Sequence, residues 1–101
     1  MKNVKILVVC GAGAGSSAIL MINAKKALAS LGISGDVETS ALYMITAQSP
    51  DIILTSKTFV EKIEEKMSKK KIPIIPITSF VNIQEISSKL KNPLKDLGFL
   101  E

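Results

Sequence analysis

The stretch "VVCGAGAGSSA", residues 8–18, sets the chain's one cysteine between an apolar run and a loop of small residues. Glycines at 11, 13 and 15 alternate with Ala12 and Ala14, and Ser16 and Ser17 close the loop. Such residues let a backbone curl tightly and approach a ligand closely. Successive inward N–H groups make an anion-binding nest, and a helix starting near Ser17 adds its positive end. The two serines are read as caps for that helix and as hydroxyl donors. The same field acts on Cys10, favouring thiolate over thiol and drawing its pKa below the usual value of about 8.5. A thiolate at the mouth of a phosphate-sized cradle is a nucleophile for phosphorus, and its product would be held by the amides that activated it. A lone cysteine at a strand end often serves only as a small buried side chain, and a glycine loop alone says little. Their combination points to chemistry.

The elements that must position this loop alternate. Val4 to Val9 reads as a strand covered on both faces. Helical spacing follows from Ser17 to Leu31 through Leu20, Ala24, Ala27 and Leu28, with Gly32 placed as the C-terminal cap. Asp36 to Ser40 and "DIILT", Asp51 to Thr55, read as the next strands, with a turn or two between Ala41 and Ser49. Thr58 and Glu61 form a capping box before a helix whose apolar face is Phe59, Val60, Ile63 and Met67. The run Lys69-Lys70-Lys71 reads as a solvated helix end. In "IPIIPI", Ile72 to Ile77, two prolines remove ladder donors, so this strand belongs at an edge. Pro73 and Pro76 point to opposite sides, so one must fall at a strand end. Asn82 and Glu85 cap a last helix through Ile83, Ile86 and Leu90, with Leu94 and Leu97 continuing the stripe past a break at Pro93.

This alternation predicts a three-layer α-β-α domain over residues 1–101, with helices on both faces of a four-stranded parallel sheet. Placing the proline strand at an edge gives strand order 2-1-3-4. Cys10 then stands at the carboxyl end of a central strand, where ligands bind in such sheets.

Absences narrow the chemistry. The chain has 101 residues, no His, and 13 basic residues that are all Lys. Imidazole chemistry and a zinc site are therefore excluded, and no cofactor is expected. Without Arg forks, and with three Phe and one Tyr as its only aromatics, it is a poor nucleic-acid reader. The +4 charge instead suits an anionic ligand or an acidic partner. No apolar run approaches a membrane span or a signal peptide, so no membrane insertion and a cytoplasmic location are expected. A single cysteine leaves no resolving thiol for a redox role.

A cysteine loop after the first strand of a small α/β domain resembles the low-molecular-weight tyrosine phosphatases, whose signature is Cys, five residues, then Arg-Ser. Ser17 matches the signature serine, but Ser16 stands where the arginine belongs. A guanidinium clamp on the transferring phosphoryl group supplies much of the stabilisation for hydrolysis. Without it, and without an Asp-Pro for acid catalysis, the site should accept and hold phosphate yet hydrolyse it poorly. That is the behaviour of a carrier.

"CGAGAGSS" closing an N-terminal strand, followed by an amphipathic helix, resembles the enzyme IIB component of the bacterial phosphoenolpyruvate-dependent sugar phosphotransferase system, the ascorbate type most, then the galactitol type. The resemblance implies a phosphoryl carrier with Cys10 as the catalytic, phosphorylated nucleophile. Phosphate would be bound by amides of Gly11, Ala12, Gly13, Ala14, Gly15, Ser16 and Ser17 and by the two serine hydroxyls. The donor would be a phosphohistidine on a IIA protein, and the acceptor a sugar bound by the membrane component IIC. Partner contacts are expected at Ala12 and Ala14, and near Ser56, Lys57, Ser79 and Phe80. A phosphatase-like enzyme and a non-catalytic flavodoxin-like anion binder remain the alternatives.

Overall fold

The computed structural model of the chain describes residues 3–9, 14–40, 45, 50–67 and 72–99, the side chains of 14–17 excepted. Their order is β1 (Val4–Val9), α1 (Ala14–Ser30), β2 (Gly35–Ser40), β3 (Ile52–Thr55), a 3-10 turn (Lys57–Phe59), α2 (Val60–Lys66), β4 (Ile74–Pro76) and α3 (Ile83–Asp96). All strand pairs are parallel, in the order β2-β1-β3-β4. This is the expected sheet. The Lys69 to Lys71 run and most of the interval from Ala41 to Ser49 lie outside the described residues.

Strand periodicity of two divides the apolar side chains between the faces. Val4, Ile6, Val8, Ile52, Leu54, Ile75 and Ile77 turn one way and meet Leu20, Ala24, Ala27 and Leu28 of α1 and Ile86, Leu90 and Leu94 of α3. Leu7, Val9 and Ile53 turn the other way and meet Ile45, Ile63 and Met67, with Phe59, Ile72 and Ile74 at the border. α1 and α2 thus cover opposite faces. Right-handed crossovers from β1 outward to β2, and from β3 outward to β4, require that arrangement.

The proline strand confirms its edge position and shows how both prolines are accommodated. Ile53 N donates to Pro73 O at 2.9 Å and Ile77 N donates to Thr55 O at 2.8 Å, so these residues of the segment face β3. Pro76 faces away, where its missing N–H costs no ladder bond. Its outward carbonyl accepts from Lys89 Nζ of α3 at 2.8 Å. Pro73 precedes the strand.

Both terminal turns flanking the first core close with glycine at positive φ. Gly32 has φ 73°, with Gly32 N donating to Ala29 O and Ile33 N to Leu28 O, the paired bonds of a Schellman cap. Gly98, φ 87°, closes α3 in the same way through Lys95 O and Leu94 O, and Phe99 packs back on the core.

Four local expectations are corrected. α1 begins at Ala14 instead of near Ser17, so Ser16 and Ser17 fall inside its first turn, past the capping position. Small residues present nothing that stops a helix from extending toward its strand. The Thr58–Glu61 box does not form: the chain enters α2 through the 3-10 turn, and neither turn nor helix has a side-chain cap. The Phe59 N to Ser56 O bond at 3.1 Å already engages an amide there. At α3, Asn82 Oδ1 accepts from Glu85 N at 3.1 Å, but the Glu85 carboxylate turns to Thr78 and Ser79. Finally, α3 runs through Pro93 to Asp96, because burying Leu94 against the core outweighs one lost helical bond. Leu97 leaves the stripe and is exposed.

Candidate functional site

In this strand order the connections diverge between β1 and β3: one leads out to β2, the other out to β4. The crevice beyond the carboxyl ends of those two strands is where this architecture binds ligands. Val9 and Thr55 end the strands as a register pair. Thr55 is fully buried, and its Oγ1 donates to Val9 O at 2.6 Å. The bond pins the backbone of the residue just before Cys10. Spacing does not single Thr55 out, but it is the one polar residue of "IILT", and that was the available signal.

Of the residues expected to form the phosphate cradle, Cys10, Gly11, Ala12 and Gly13 lie outside the described residues. Ala14, Gly15, Ser16 and Ser17 make up the first turn of α1. The opening amides of any α-helix have no intrahelical acceptor, and they carry the positive end of its dipole. The donors that α1 offers an anion therefore begin at Ala14, directly after residues 10–13 in the sequence.

Beyond the carboxyl ends of β3 and β4, Ser56, Lys57, Thr58, Ile77, Thr78 and Phe80 line a shallow cavity of about 280 Å³. The structure thus gathers Ser56, Lys57 and Phe80 as expected, and adds Thr58, Ile77 and Thr78. Lys57 is exposed; Phe80 is half-buried against the first core and does not project freely. Asn23 of α1 donates through Nδ2 to Phe80 O at 2.6 Å, tying the loop after β4 to α1.

That loop is held from its other end by Glu85. Its carboxylate accepts from Thr78 N at 2.7 Å, from Ser79 N at 3.0 Å and from Lys89 Nζ at 2.7 Å. The Lys89 hydrogen bond and then the Thr78 amide, helped by Ser79, hold the Glu85 pKa down to about 2 against the opposing effect of partial burial. Ser79, expected at the partner rim, spends its amide on this clamp.

Comparison with known proteins agrees with the fold. Residues 5–92 match the family described as "PTS system, Lactose/Cellobiose specific IIB subunit". The chain belongs to this family of IIB subunits, phosphoryl-carrier domains of sugar phosphotransferase systems that work between IIA and IIC components. Among solved structures, the lactose-specific IIB component domain of the phosphoenolpyruvate:carbohydrate phosphotransferase system from Streptococcus pneumoniae aligns over 95% of each chain, with 19% identity and a TM-score of 0.63. That likeness speaks for the fold. The Enzyme IIB subunit of a PTS system from Escherichia coli K12 aligns over 95% of this chain and 90% of its own, with 16% identity and a TM-score of 0.47. No curated protein matches the chain. The ascorbate and galactitol subtypes find no support here: the matching family is of lactose/cellobiose type, and the loop spelling that suggested otherwise covers only residues 10–17. Among the described residues no helix is long and apolar enough to cross a membrane.

Proposed function

We propose that the chain carries a phosphoryl group on Cys10, taken from a phosphohistidine of a IIA protein and given to a sugar held by IIC, in the cytoplasm and as one domain. In the first step the Cys10 sulfur forms a bond to phosphorus while the bond from phosphorus to the imidazole nitrogen breaks. In the second a sugar hydroxyl oxygen replaces sulfur, and its proton is lost. Gly11, Ala12, Gly13, Ala14, Gly15, Ser16 and Ser17 hold the phosphate between the steps, through backbone amides and the two serine hydroxyls. The work is positioning and charge neutralisation. The observation that carries the reading is the match of residues 5–92 to the IIB family, with the chain's one cysteine directly after β1 at the point where the sheet's connections diverge. The absence of His fits a domain whose phosphoryl donor is another protein.

For the sugar, the family description favours a lactose/cellobiose-type substrate. A reconstituted relay tests both parts. Phosphoenolpyruvate, the general phosphotransferase proteins, a lactose/cellobiose-type IIA and membranes carrying the matching IIC are combined with this chain and with lactose, cellobiose or ascorbate. Sugar phosphate from one of the disaccharides, lost with Cys10→Ser, is the expected result. Formation from ascorbate alone would overturn the sugar assignment, and undiminished transfer by Cys10→Ser would overturn the role of the thiol.

A further inference from the structure

The described surface carries its exposed apolar side chains unevenly. Ile19 and Ile22 of α1 are 45% and 49% exposed, and Val81, in the loop between β4 and α3, is 71% exposed. Ile19 and Ile22 are one helical turn apart on the outer side of α1, while Leu20, Ala24 and Ala27 turn inward. The Asn23 to Phe80 bond brings the loop bearing Val81 against the same stretch of α1. α1 starts directly after residues 10–13, and that loop follows the carboxyl end of β4. The patch therefore borders the end of the sheet where Cys10 is encoded. One turn further along α1, Lys25 and Lys26 are exposed beside it.

We infer that Ile19, Ile22 and Val81, bordered by Lys25 and Lys26, form the docking patch for the phosphohistidine donor protein. This deepens the carrier reading and rests on it. A donor must lay its histidine over residue 10, so its surface covers the adjoining rim, and on the α1 side that rim is apolar. Three isolated side chains make a small contact, suited to a complex that forms and separates at each transfer. The lysine border selects between the two partners of the relay. The cytoplasmic face of a membrane protein is enriched in Lys and Arg. A lysine-bordered patch on a chain of net charge +4 is better matched to an acidic rim on a water-soluble donor.

The test uses the full chain with two phosphoryl donors: a lactose/cellobiose-type IIA phosphorylated through phosphoenolpyruvate, and phosphoramidate, a small N–P donor that needs no docking. Ile19→Gln with Ile22→Gln keeps good helix formers in α1, and Val81→Ser probes the loop separately; a melting curve confirms that each variant folds. The expected result is a rise of at least about tenfold in the IIA concentration for half-maximal rate, typical of losing a contact that matters. The maximal rate and the labelling by phosphoramidate are expected to stay as in the parent. Lys25→Glu with Lys26→Glu is expected to weaken the same step and to reduce its dependence on salt. Unchanged half-saturation by IIA, or a loss confined to transfer onto the sugar, would overturn the assignment to the donor. If the parent chain takes phosphate on Cys10 from neither donor while Cys10→Ser behaves like it, the carrier reading itself has failed, and the patch with it.

Discussion

At the scale of single residues, ordinary side chains at the carboxyl end of the sheet have assigned tasks. Thr55 is the clearest. Its buried hydroxyl donates to the carbonyl of Val9, so the end of β1 is held to β3 just before Cys10, the proposed nucleophile. Thr55→Val keeps the shape and removes the donor, which is expected to cost on the order of 1 kcal/mol in chemical denaturation. Phosphorylation of Cys10 should slow as well, because a loosened strand end misplaces the sulfur. A variant with lower stability but parental phosphorylation kinetics would reduce Thr55 to a packing role. Glu85 acts on the neighbouring loop. Its pKa is lowered in the folded chain from 4.5 to about 2, so its contribution is complete above the unfolded carboxylate's pKa and fades as pH falls through that window. Glu85→Gln should therefore flatten the loss of stability between about pH 4.5 and 2. Urea midpoints measured across that range check it, and a parental slope in the variant would contradict it.

At the scale of elements, close approach and turn geometry separate two glycines that look alike in sequence. Gly35 pairs with Val4, and a Cβ built on it would lie 2.5 Å from Val4 Cγ1 and 2.7 Å from Val4 O. Strand β2 could not keep its place beside β1, so Gly35→Ala is expected to cost about 3 kcal/mol, at the upper end for forced overpacking. Gly32 has open space around it and only its φ of 73° to lose, so Gly32→Ala should cost about 1 kcal/mol. Thermal and urea unfolding of the pair would test the ranking, and equal losses would refute it. The strands were legible from their residue types: "VKILVV" is covered on both faces, and the two prolines of "IPIIPI" allow only an edge. Helix starts were less legible. Residues 14–17 are small and place no stop signal, so the apolar stripe of α1 reveals where the helix packs but not where it begins. At Thr58 a cap pattern was present, yet a tighter turn took its place, and at Pro93 the burial of Leu94 overrode a local breaker.

At the scale of the whole molecule, two cores on opposite faces of one sheet leave its carboxyl edge as the place where chemistry can be hosted. Helix α1 and the loop after β4 frame that edge from one side, and Ser56 to Thr58 frame it from the other. The general role was legible because it depends on types that cannot be mistaken: one Cys, no His, no Arg. The subtype was not legible, because the resemblance that suggested it rested on residues 10–17 alone. The lack of arginine has a consequence at this scale too: a phosphoryl group taken up should leave by transfer and only slowly by hydrolysis.

The central claim is that Cys10 carries the phosphoryl group. Incubating the chain with phosphoenolpyruvate, the general phosphotransferase proteins and a lactose/cellobiose-type IIA, followed by intact mass and peptide mapping, tests it most directly. The account predicts a gain of about 80 Da, one phosphate, mapped to the peptide containing Cys10, persisting when the donors are removed and absent in Cys10→Ser. The same gain in Cys10→Ser, or a phosphate mapped to a serine, would contradict it.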